Sequence, residues 1–452
     1  MKKHFIALLI VASALCFGAG SPKYIFLFIG DGMSTPQRMM ADEFSRKRDG
    51  RQLLINTLPF HATTRSCSAS SLVTDSAAAA TAIACGVKTR NGKLGVDVND
   101  RPAESVAEAA KKSGRKVGIV TSVTINHATP GGFYAHRSSR SQGYAIGLDL
   151  IASNFDYFAG GGFGKAADDR KAAEYRGDLY DLVKRSGYTL TTDRAGFEKL
   201  RPGVGKVFAR GSLDALPYEL DSDGSVPTLA EFTKKGIELL DNPKGFFMMV
   251  EGGSIDWCGH SNEAAANLVE VLGLDKAVRV AMDFAQKHPD ETLIVVTGDH
   301  ETGGMTMGFA GTGYNLYMER LAAQKCTTGE FVRKVREARK AKPDLSFDDV
   351  KPLLAESYGF KFEGEGPMVL TKAEQERLGK AVTTDKSGKT RLSASKLGKE
   401  ARIVMSNKAG VGWTSGSHTA LPVLTTSWGK GAENFQGFID NTDIAKKLKA
   451  LL

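Results

Sequence analysis

The chain has 452 residues and a formal net charge of +9 at pH 7, with 25% of its residues charged and 42% hydrophobic. This length exceeds what a minimal single core needs, and it suits either one large α/β domain with insertions or two domains. Lysine and arginine are dispersed rather than gathered in a compact basic and aromatic patch, which argues against nucleic-acid recognition. The charge excess is compatible with small anionic substrates, but a solvated charged surface explains it as well.

Residues 1–20 have the layout of a secretory signal peptide, in which two lysines precede an apolar stretch from Phe5 to Phe17 and small residues up to Gly20 follow. The apolar stretch is too short to span a bilayer comfortably, and no later segment is long and apolar enough. We therefore expect cleavage near Gly20, export to the periplasm or the medium, and a mature protein of residues 21–452 without a membrane span. Cys16 invites a lipoprotein interpretation, which we do not favour because the leucine before it is bulkier than lipoprotein processing usually accepts.

Four continuous apolar runs predict parallel strands that are buried on both faces. The runs are Tyr24–Ile29, Val117–Thr121, Gly245–Val250 and Leu293–Thr297. Polar side chains that can bind a metal ion follow each run, and ligands of open parallel sheets bind outside the carboxyl ends of the strands. A helical pattern over 263–288 is expected to cover one face of the sheet. The alternation of strands and helices predicts an α/β fold with a doubly wound, mostly parallel central sheet between helices.

A serine follows a carboxylate at the start of an alanine-rich run, in the order Thr74-Asp75-Ser76. The run predicts a helix with Ser76 at its N-terminus, where unpaired backbone N–H groups and the helix dipole favour anions. Small side chains leave room there for a phosphate-like group. Taken alone, this stretch is more typical of an ordinary helix cap.

From about 311 to about 408 the strand signal fades, and charged helical segments with Gly and Lys turns take over. We interpret this region as an insertion over the sheet edge, with Leu421–Thr426 as a returning strand. The cysteines that remain after signal removal are widely scattered and form no dense disulfide framework, so we predict no pairing among them. They are Cys67, Cys85, Cys258 and Cys326.

Candidate metal ligands lie in glycine-rich, strand-terminal or turn contexts, where their side chains can converge. They are Asp31, Glu251, Asp256, His260, Asp299, His300 and His418. Zinc accepts such oxygen and nitrogen ligands, whereas magnesium would prefer Asp31, Glu251 and a hydroxyl such as that of Thr129. By spacing alone, polar surface loops remain an equally good interpretation.

Six motifs, in this order along the chain, resemble those of the alkaline phosphatases. They are Ile29-Gly30-Asp31-Gly32-Met33, Thr74-Asp75-Ser76-Ala77, His127-Ala128-Thr129-Pro130 with Arg140, Val250-Glu251-Gly252-Gly253-Ser254-Ile255-Asp256 with His260, Thr297-Gly298-Asp299-His300, and Gly416-Ser417-His418-Thr419. The resemblance spans nearly the whole mature chain, and only the region 311–408, which would be crown-like, is too divergent to align.

The resemblance implies a nucleophile at Ser76, with Asp75 holding its loop and Arg140, and it implies two zinc ions and one magnesium ion. The implied ligands are Asp256, His260 and His418 for the first zinc, Asp31, Asp299, His300 and Ser76 for the second zinc, and Asp31, Thr129 and Glu251 for magnesium. A serine hydroxyl is a weak nucleophile, so zinc coordination would replace a histidine base, and the fork of Arg140 suits two phosphate oxygens. A homodimer is also implied.

Two positions near the metals depart from the best-known bacterial pattern: His127 stands in place of Asp and Trp257 in place of Lys. We expect His127 to hydrogen-bond magnesium-bound water rather than bind the ion, which leaves the occupant of the third metal site open. Trp257 and Cys258 are expected to pack rather than to ligate. His61, His136 and His288 are assigned no chemistry.

The leading hypothesis is therefore an exported alkaline phosphomonoesterase that acts on small phosphate monoesters through a phosphoserine intermediate. One alternative is a phosphodiesterase or sulfatase-like member of the same superfamily, against which Arg140 and the Thr129–Glu251 metal site argue. The other is a secreted metal- or phosphate-binding protein without catalysis. An activated serine has no use in such a binder, which disfavours it.

Overall fold

The computed structural model describes residues 20–384 and 390–452. The predicted signal peptide, apart from Gly20, and the cysteine at position 16 lie outside the described residues. None of the described helices combines the length and the apolar character that crossing a bilayer requires.

The described strands and helices alternate along most of the chain. The strands are β1 (Tyr24–Gly30), β2 (Phe60–Arg65), β3 (Lys116–Thr121), β4 (Tyr157–Gly160), β5 (Tyr188–Thr191), β6 (Lys206–Arg210), β7 (Phe246–Gly252), β8 (Thr292–Gly298), β9 (Glu301–Thr302), β10 (Met305–Met307), β11 (Val382–Thr384), β12 (Thr390–Leu392), β13 (Val411–Trp413), β14 (His418–Thr419), β15 (Val423–Gly429) and β16 (Gly437–Asp440). The α-helices are α1 (Thr35–Asp49), α2 (Ser76–Cys85), α3 (Val106–Lys112), α4 (Ala128–Gly131), α5 (Gly143–Ser153), α6 (Leu179–Arg185), α7 (Arg194–Glu198), α8 (Leu229–Leu240), α9 (Ser254–His260), α10 (Ala264–Ala285), α11 (Thr328–Ala341), α12 (Phe347–Tyr358), α13 (Lys372–Gly379), α14 (Ala394–Ala409) and α15 (Asn441–Ala450).

Ten of these strands form one sheet in the order β16-β2-β15-β8-β1-β7-β3-β4-β6-β5. The four strands predicted from apolar runs are β1, β3, β7 and β8, and they are neighbours at the centre of the sheet, all parallel. The predicted returning strand is β15, which runs antiparallel to β8 and β2. It begins at Val423 rather than Leu421, because Pro422 has no N–H to donate to a neighbouring strand.

Helices cover both faces of the sheet, as the side chains of β1 show. Phe26 and Phe28 belong to one hydrophobic core with residues of α1, α8 and α10, while Ile25 and Leu27 belong to another with residues of α2, α3, α5 and α15. A strand with apolar side chains on both faces needs cover on both, which explains the continuous apolar run. These observations confirm the predicted doubly wound α/β fold.

The region 311–408 is mainly helical, with α11 to α14 and the hairpin of β11 and β12. Helices α11 and α14 pack on each other, and α14 also contacts α10. Phe331 and Leu397 are buried in the same core as Phe26. The boundaries of the insertion stay a prediction.

Candidate active site

Ser76 is the first residue of α2 and is 1% exposed. The cap of this helix is Asp75, whose Oδ1 accepts a hydrogen bond from the Ala78 N–H (3.0 Å). Its other oxygen, Oδ2, accepts from the Gly92 N–H (3.0 Å) and from Arg140 Nη1 (3.2 Å). Because Asp75 caps the helix, the Ser76 hydroxyl is left available for chemistry at a helix N-terminus.

The first group of candidate ligands lies beside this hydroxyl and is fully buried. Asp31 follows β1, and Asp299 and His300 follow the neighbouring strand β8. His300 Nε2 lies 3.2 Å from Ser76 Oγ, 3.3 Å from Asp31 Oδ1 and 3.2 Å from Asp299 Oδ2. Gly32 fixes Asp299 by donating its N–H to Oδ1 (3.0 Å), and its φ of 70° is in the left-handed region that favours glycine.

A second group shares Asp31 and adds Glu251 from the end of β7. Thr129, in α4, donates its hydroxyl to Asp31 Oδ2 (3.2 Å). His127 Nδ1 lies 3.9 Å from Asp31 Oδ2 and 3.9 Å from Glu251 Oε1. Asp31, Glu251 and His127 together place one ligand atom each within 4.8 Å of one another. Asp31 therefore stands between two groups of candidate ligands.

The third group consists of Asp256, His260 and His418. Asp256 and His260 lie one turn apart on α9, and His260 Nε2 is 3.4 Å from Asp256 Oδ2. His418 Nε2 is 3.5 Å from Asp256 Oδ1 and 3.1 Å from His260 Nε2. Backbone carbonyls hold the outer nitrogens of the two rings: His260 Nδ1 pairs with Gly416 O and His418 Nδ1 with Thr74 O, each at 2.8 Å. The Nε2 atoms of both rings are consequently directed toward each other and toward the Asp256 carboxylate, so that all three side chains could bind one ion.

Buried polar atoms in the first two groups lack hydrogen-bond partners among the described residues. They are Asp31 Oδ1, His127 Nδ1, Glu251 Oε1 and Asp299 Oδ2. Burial, together with the neighbouring carboxylates, raises the pKa of Asp31 and of Asp299 well above the ordinary value. Burial also raises the pKa of Glu251 to about 7 and lowers the pKa of His300 well below its ordinary value. Carboxylates packed this closely need cations, and their oxygen and nitrogen donors fit zinc and magnesium.

Arg140 closes the site on the side of Asp75 and is held at two points. Its Nη1 donates to Asp75, and its Nη2 donates to His127 Nε2 (3.1 Å). Burial and the charge of Arg140 lower the pKa of His127 to about 3, so this imidazole is neutral. The Arg140 side chain remains 31% exposed, so part of its guanidinium is accessible to an anion.

Nearly the whole chain matches a known family. The family model described as alkaline phosphatase matches residues 22–452. Alkaline phosphatase 4 of Bacillus subtilis is 32% identical over 456 aligned residues, which cover 95% of this chain and 88% of that protein. The chain belongs to the alkaline phosphatase family. Like its relatives, it is an enzyme that hydrolyses phosphate monoesters.

Solved structures of alkaline phosphatases agree with this membership. The cold-active enzyme from the psychrophile Shewanella sp. has a TM-score of 0.81 and 29% identity over 95% of this chain and 99% of that chain. A histidine-to-glutamate variant of the enzyme from the Antarctic bacterium TAB5, with magnesium bound in its M3 site, has a TM-score of 0.66 and 25% identity. That match covers 96% of this chain and 98% of the TAB5 chain.

The structure brings together the residues that sequence analysis selected for this alkaline phosphatase, and it leaves others outside. Trp257 lies edge-on to His127, with ring centroids 6.2 Å apart, and Cys258 is buried. All four described cysteines outside the signal region are free thiols and buried. His136 pairs with Glu108, away from the three groups.

Two hydroxyl side chains at the site were missed from the sequence. Thr302 donates to Asp256 Oδ1 (2.5 Å) and lies 3.2 Å from His300 Nδ1, so it joins the first and third groups. Thr121, the last residue of β3, donates to Glu251 Oε2. The sequence did offer one indication for Thr121, because it ends the predicted strand Val117–Thr121 and therefore lies at the edge of the sheet where ligands bind. For Thr302 the only hint was its position two residues after His300.

Proposed function

We propose that this enzyme hydrolyses phosphate monoesters through a phosphoserine at Ser76, assisted by two zinc ions and one magnesium ion. The observation that carries the proposal is the position of Ser76 Oγ, which lies at a helix N-terminus and 3.2 Å from His300 Nε2. His300 belongs to the first group of candidate ligands, and that group shares Asp31 with the second group. An anion-binding helix end and cation ligands around one hydroxyl suit phosphoryl transfer.

The ligand sets follow the three groups of side chains. Asp256, His260 and His418 would hold the first zinc, Asp31, Asp299 and His300 with Ser76 the second, and Asp31, Thr129 and Glu251 the magnesium. The unpartnered oxygens of Asp31, Glu251 and Asp299 support these assignments. When bound, these ions would neutralise the carboxylates and polarise the serine hydroxyl and the phosphate oxygens.

Ser76 and Arg140 carry the reaction on the protein side. Ser76 Oγ attacks phosphorus, and the bond between phosphorus and the alcohol oxygen breaks. The serine hydroxyl gives up its proton to water, and the alcohol oxygen takes one from water as it leaves. Water then cleaves the Oγ–P bond, which releases inorganic phosphate and restores the hydroxyl. Arg140, oriented by Asp75 and His127, holds two non-bridging oxygens in line with this exchange.

His127 acts through its hydrogen bonds in this proposal. Arginine has only donors, so the contact from Arg140 makes His127 Nε2 an acceptor, and the neutral ring then carries its proton on Nδ1. Nδ1 lies 3.9 Å from Asp31 Oδ2 and from Glu251 Oε1 without a hydrogen-bond partner among the described residues, and a protonated Nδ1 has no lone pair with which to bind a cation. This supports a role in holding magnesium-bound water rather than the ion itself.

Export and assembly complete the proposal. Residues 1–20 serve as a signal peptide in this view, and the mature enzyme works in the periplasm or the medium without a lipid anchor at Cys16. The homodimer implied by the family resemblance stays a prediction.

Replacing Ser76 tests the mechanism directly. In metal-loaded enzyme, Ser76→Ala should lower kcat for an aryl phosphate by at least ~10³-fold and abolish acid-stable labelling with radioactive phosphate, because no nucleophile remains. Ser346→Ala, which also alters a serine at a helix start, is the matched control and should keep wild-type turnover. Unchanged turnover in Ser76→Ala would refute the phosphoserine route.

Wild-type turnover of a monoester, a diester and a sulfate ester distinguishes phosphomonoesterase activity from the phosphodiesterase and sulfatase activities of the same superfamily. We expect the monoester to be preferred, because Arg140 and the cations suit a dianion. A preference for the diester or the sulfate ester would contradict this.

A further inference from the structure

The loop that leads into Ser76 has little apolar packing to hold it in place. Leu72 is 65% exposed and Val73 is 37% exposed, whereas Thr74, the next residue, is buried. Exposed side chains bury little apolar area, so these two add little to the stability of the loop. The position of the loop, and with it the start of the helix α2, therefore depends on hydrogen bonds.

The side chain of Asn91 bonds this loop on both sides of Thr74. Its Oδ1 accepts from the Asp75 N–H (3.2 Å), and its Nδ2 donates to Val73 O (3.1 Å). The Asn91 N–H also donates to Ser70 Oγ (3.0 Å), so backbone and side chain of one residue bond the same loop. A carboxamide has both the acceptor and the donor that this arrangement needs.

The peptide group between Thr74 and Asp75 connects Asn91 to a candidate zinc ligand. Its N–H donates to Asn91 Oδ1, and its carbonyl oxygen lies 2.8 Å from His418 Nδ1. A carbonyl oxygen only accepts, so Nδ1 carries a proton, and a neutral His418 ring keeps the lone pair of Nε2 for a cation. Hydrogen bonds at the two ends of one peptide group strengthen each other. Asn91 is therefore linked to the orientation of His418 through a single peptide group.

The residue after Asn91 connects the same loop to Arg140. Gly92 donates its N–H to Asp75 Oδ2 (3.0 Å), and its carbonyl oxygen accepts from the Arg140 N–H (2.7 Å). Gly92 has a φ of 86°, in the left-handed region that favours glycine. One asparagine-glycine pair thus contacts the segments that carry Ser76 and Arg140.

We propose that Asn91 is a positioning residue for the hydrolysis: by fixing the peptide groups around Thr74, it holds Ser76 and His418 in the arrangement that the reaction needs. The inference rests on the proposed function, in which Ser76 is the nucleophile and His418 binds the first zinc. Among the described residues, Asn91 has no hydrogen bond of its own to either one, so its effect passes through the loop. Outer contacts of this kind fix the ring orientation and the tautomer of a metal ligand.

The test measures two quantities for variants of Asn91: kcat for an aryl phosphate in metal-loaded enzyme, and zinc affinity in competition with a chromophoric chelator. Asn91→Leu has a similar shape and removes both side-chain hydrogen bonds. We expect kcat to fall ~30-fold and zinc affinity to fall ~10-fold. KM should stay within about twofold of the wild type, because Arg140 keeps its bonds to Asp75 and His127. A purely structural role would lower Tm and leave kcat and zinc affinity of the folded enzyme unchanged.

A second variant, Asn91→Asp, separates the two hydrogen bonds. Its carboxylate still accepts from the Asp75 N–H, which belongs to the peptide group that reaches His418, but it cannot donate to Val73 O. This variant should keep zinc affinity within ~3-fold of the wild type while kcat falls ~10-fold. Because it keeps the size of asparagine, it also tests the inference if Asn91→Leu does not fold.

Asn242→Leu is the matched control. Asn242 also bonds a loop, since its Nδ2 donates to Leu240 O and Gly245 O (each 2.7 Å) and its Oδ1 accepts from the Lys244 N–H (2.9 Å). This loop precedes β7, at the amino end of the parallel strands and therefore opposite the site. The control variant should lower Tm but keep the wild-type kcat and zinc affinity.

Wild-type kcat and zinc affinity in Asn91→Leu would overturn the inference, and so would an equal loss of zinc affinity in Asn91→Leu and Asn91→Asp. A loss of kcat in Asn242→Leu as large as that in Asn91→Leu would also overturn it. A failure of the proposed function would show itself differently, as turnover of the aryl phosphate by Ser76→Ala.

Discussion

The two groups of ligands that the proposal assigns to zinc differ in burial and in how the fold holds them. Asp31, Asp299 and His300 have fully buried side chains and follow two adjacent parallel strands of the central sheet. In the other group, the side chain of His260 is 40% exposed. Its members lie on the short helix α9 and on β14, which pairs with β9 outside the central sheet.

This difference separates two tasks. The buried group, with its backbone hydrogen bonds and its place at the centre of the sheet, is suited to holding the nucleophile in one position. The group of Asp256, His260 and His418, which we call the exposed group, reaches solvent through His260, and in the proposed reaction this gives a path for the alcohol to leave and for water to enter. We therefore expect changes in the buried group to abolish activity and changes in the exposed group to weaken it.

The largest effect is expected for Asp31→Asn, because Asp31 belongs to two of the three ligand groups. Losing this charge should lower kcat/KM for an aryl phosphate by at least ~10⁴-fold, with no recovery in millimolar zinc and magnesium. Asp275→Asn makes the same change at a buried carboxylate on α10 that bonds the Ile55 N–H, and it should keep activity. Full recovery of Asp31→Asn activity with added metal would contradict the assignment of Asp31 to both the second zinc and the magnesium.

A smaller and reversible effect is expected for His260→Ala. Without this imidazole the exposed group keeps Asp256 and His418, so kcat/KM should fall ~100-fold at trace zinc and recover in part at millimolar zinc. The proposed difference between the two groups would be wrong if His260→Ala were as inactive as Asp31→Asn and if added zinc restored as little of its activity. His288→Ala, another partly exposed histidine, controls for the loss of an imidazole and should behave as the wild type.

Apolar runs in the sequence place the candidate ligands of the buried group after predicted strands, but spacing alone left surface loops as an equally good interpretation. The runs ending near Ile29 and Thr297 predict parallel strands that are covered on both faces, and the carboxyl ends of such strands bring Asp31 and Asp299 to one edge of the sheet. Local pattern thus predicted the fold and the edge of the sheet, whereas the resemblance to the alkaline phosphatases implied that Asp31, Asp299 and His300 form one ligand group. The domain boundaries, with a signal peptide over 1–20 and a divergent region over 311–408, stay predictions.

The contacts that connect the groups were beyond sequence reasoning. Thr302 reaches Asp256 because β9 pairs with β14, and these strands are separated by more than a hundred residues that include the divergent region. Neither apolar period nor spacing indicates such a pairing. The hydrogen bonds that join Asn91 to Asp75 and Val73, which lie 16 and 18 positions away, are also a property of the tertiary structure.

The smallest predicted effect concerns stability and tests why the buried groups need cations. Without metal, the folded pKa of Glu251 is about 7 and those of Asp31 and Asp299 are also raised, mainly by burial. A raised folded pKa stabilises the metal-free fold while the group is protonated, and this contribution is lost as the pH rises from about 4.5 through about 7. Metal binding strengthens over the same range, because its ligands must be deprotonated.

Chelator-treated enzyme should therefore melt at a lower temperature than zinc- and magnesium-loaded enzyme, and the gap in Tm should be wider at pH 8 than at pH 5.5. We expect it to widen by at least ~3 °C, since one pKa unit corresponds to about 1.4 kcal/mol. Glu251→Gln removes one titrating carboxyl, so the metal-free variant should lose less stability over this pH range. A gap that stays constant or narrows with rising pH would show that these carboxylates do not depend on cations for their charge.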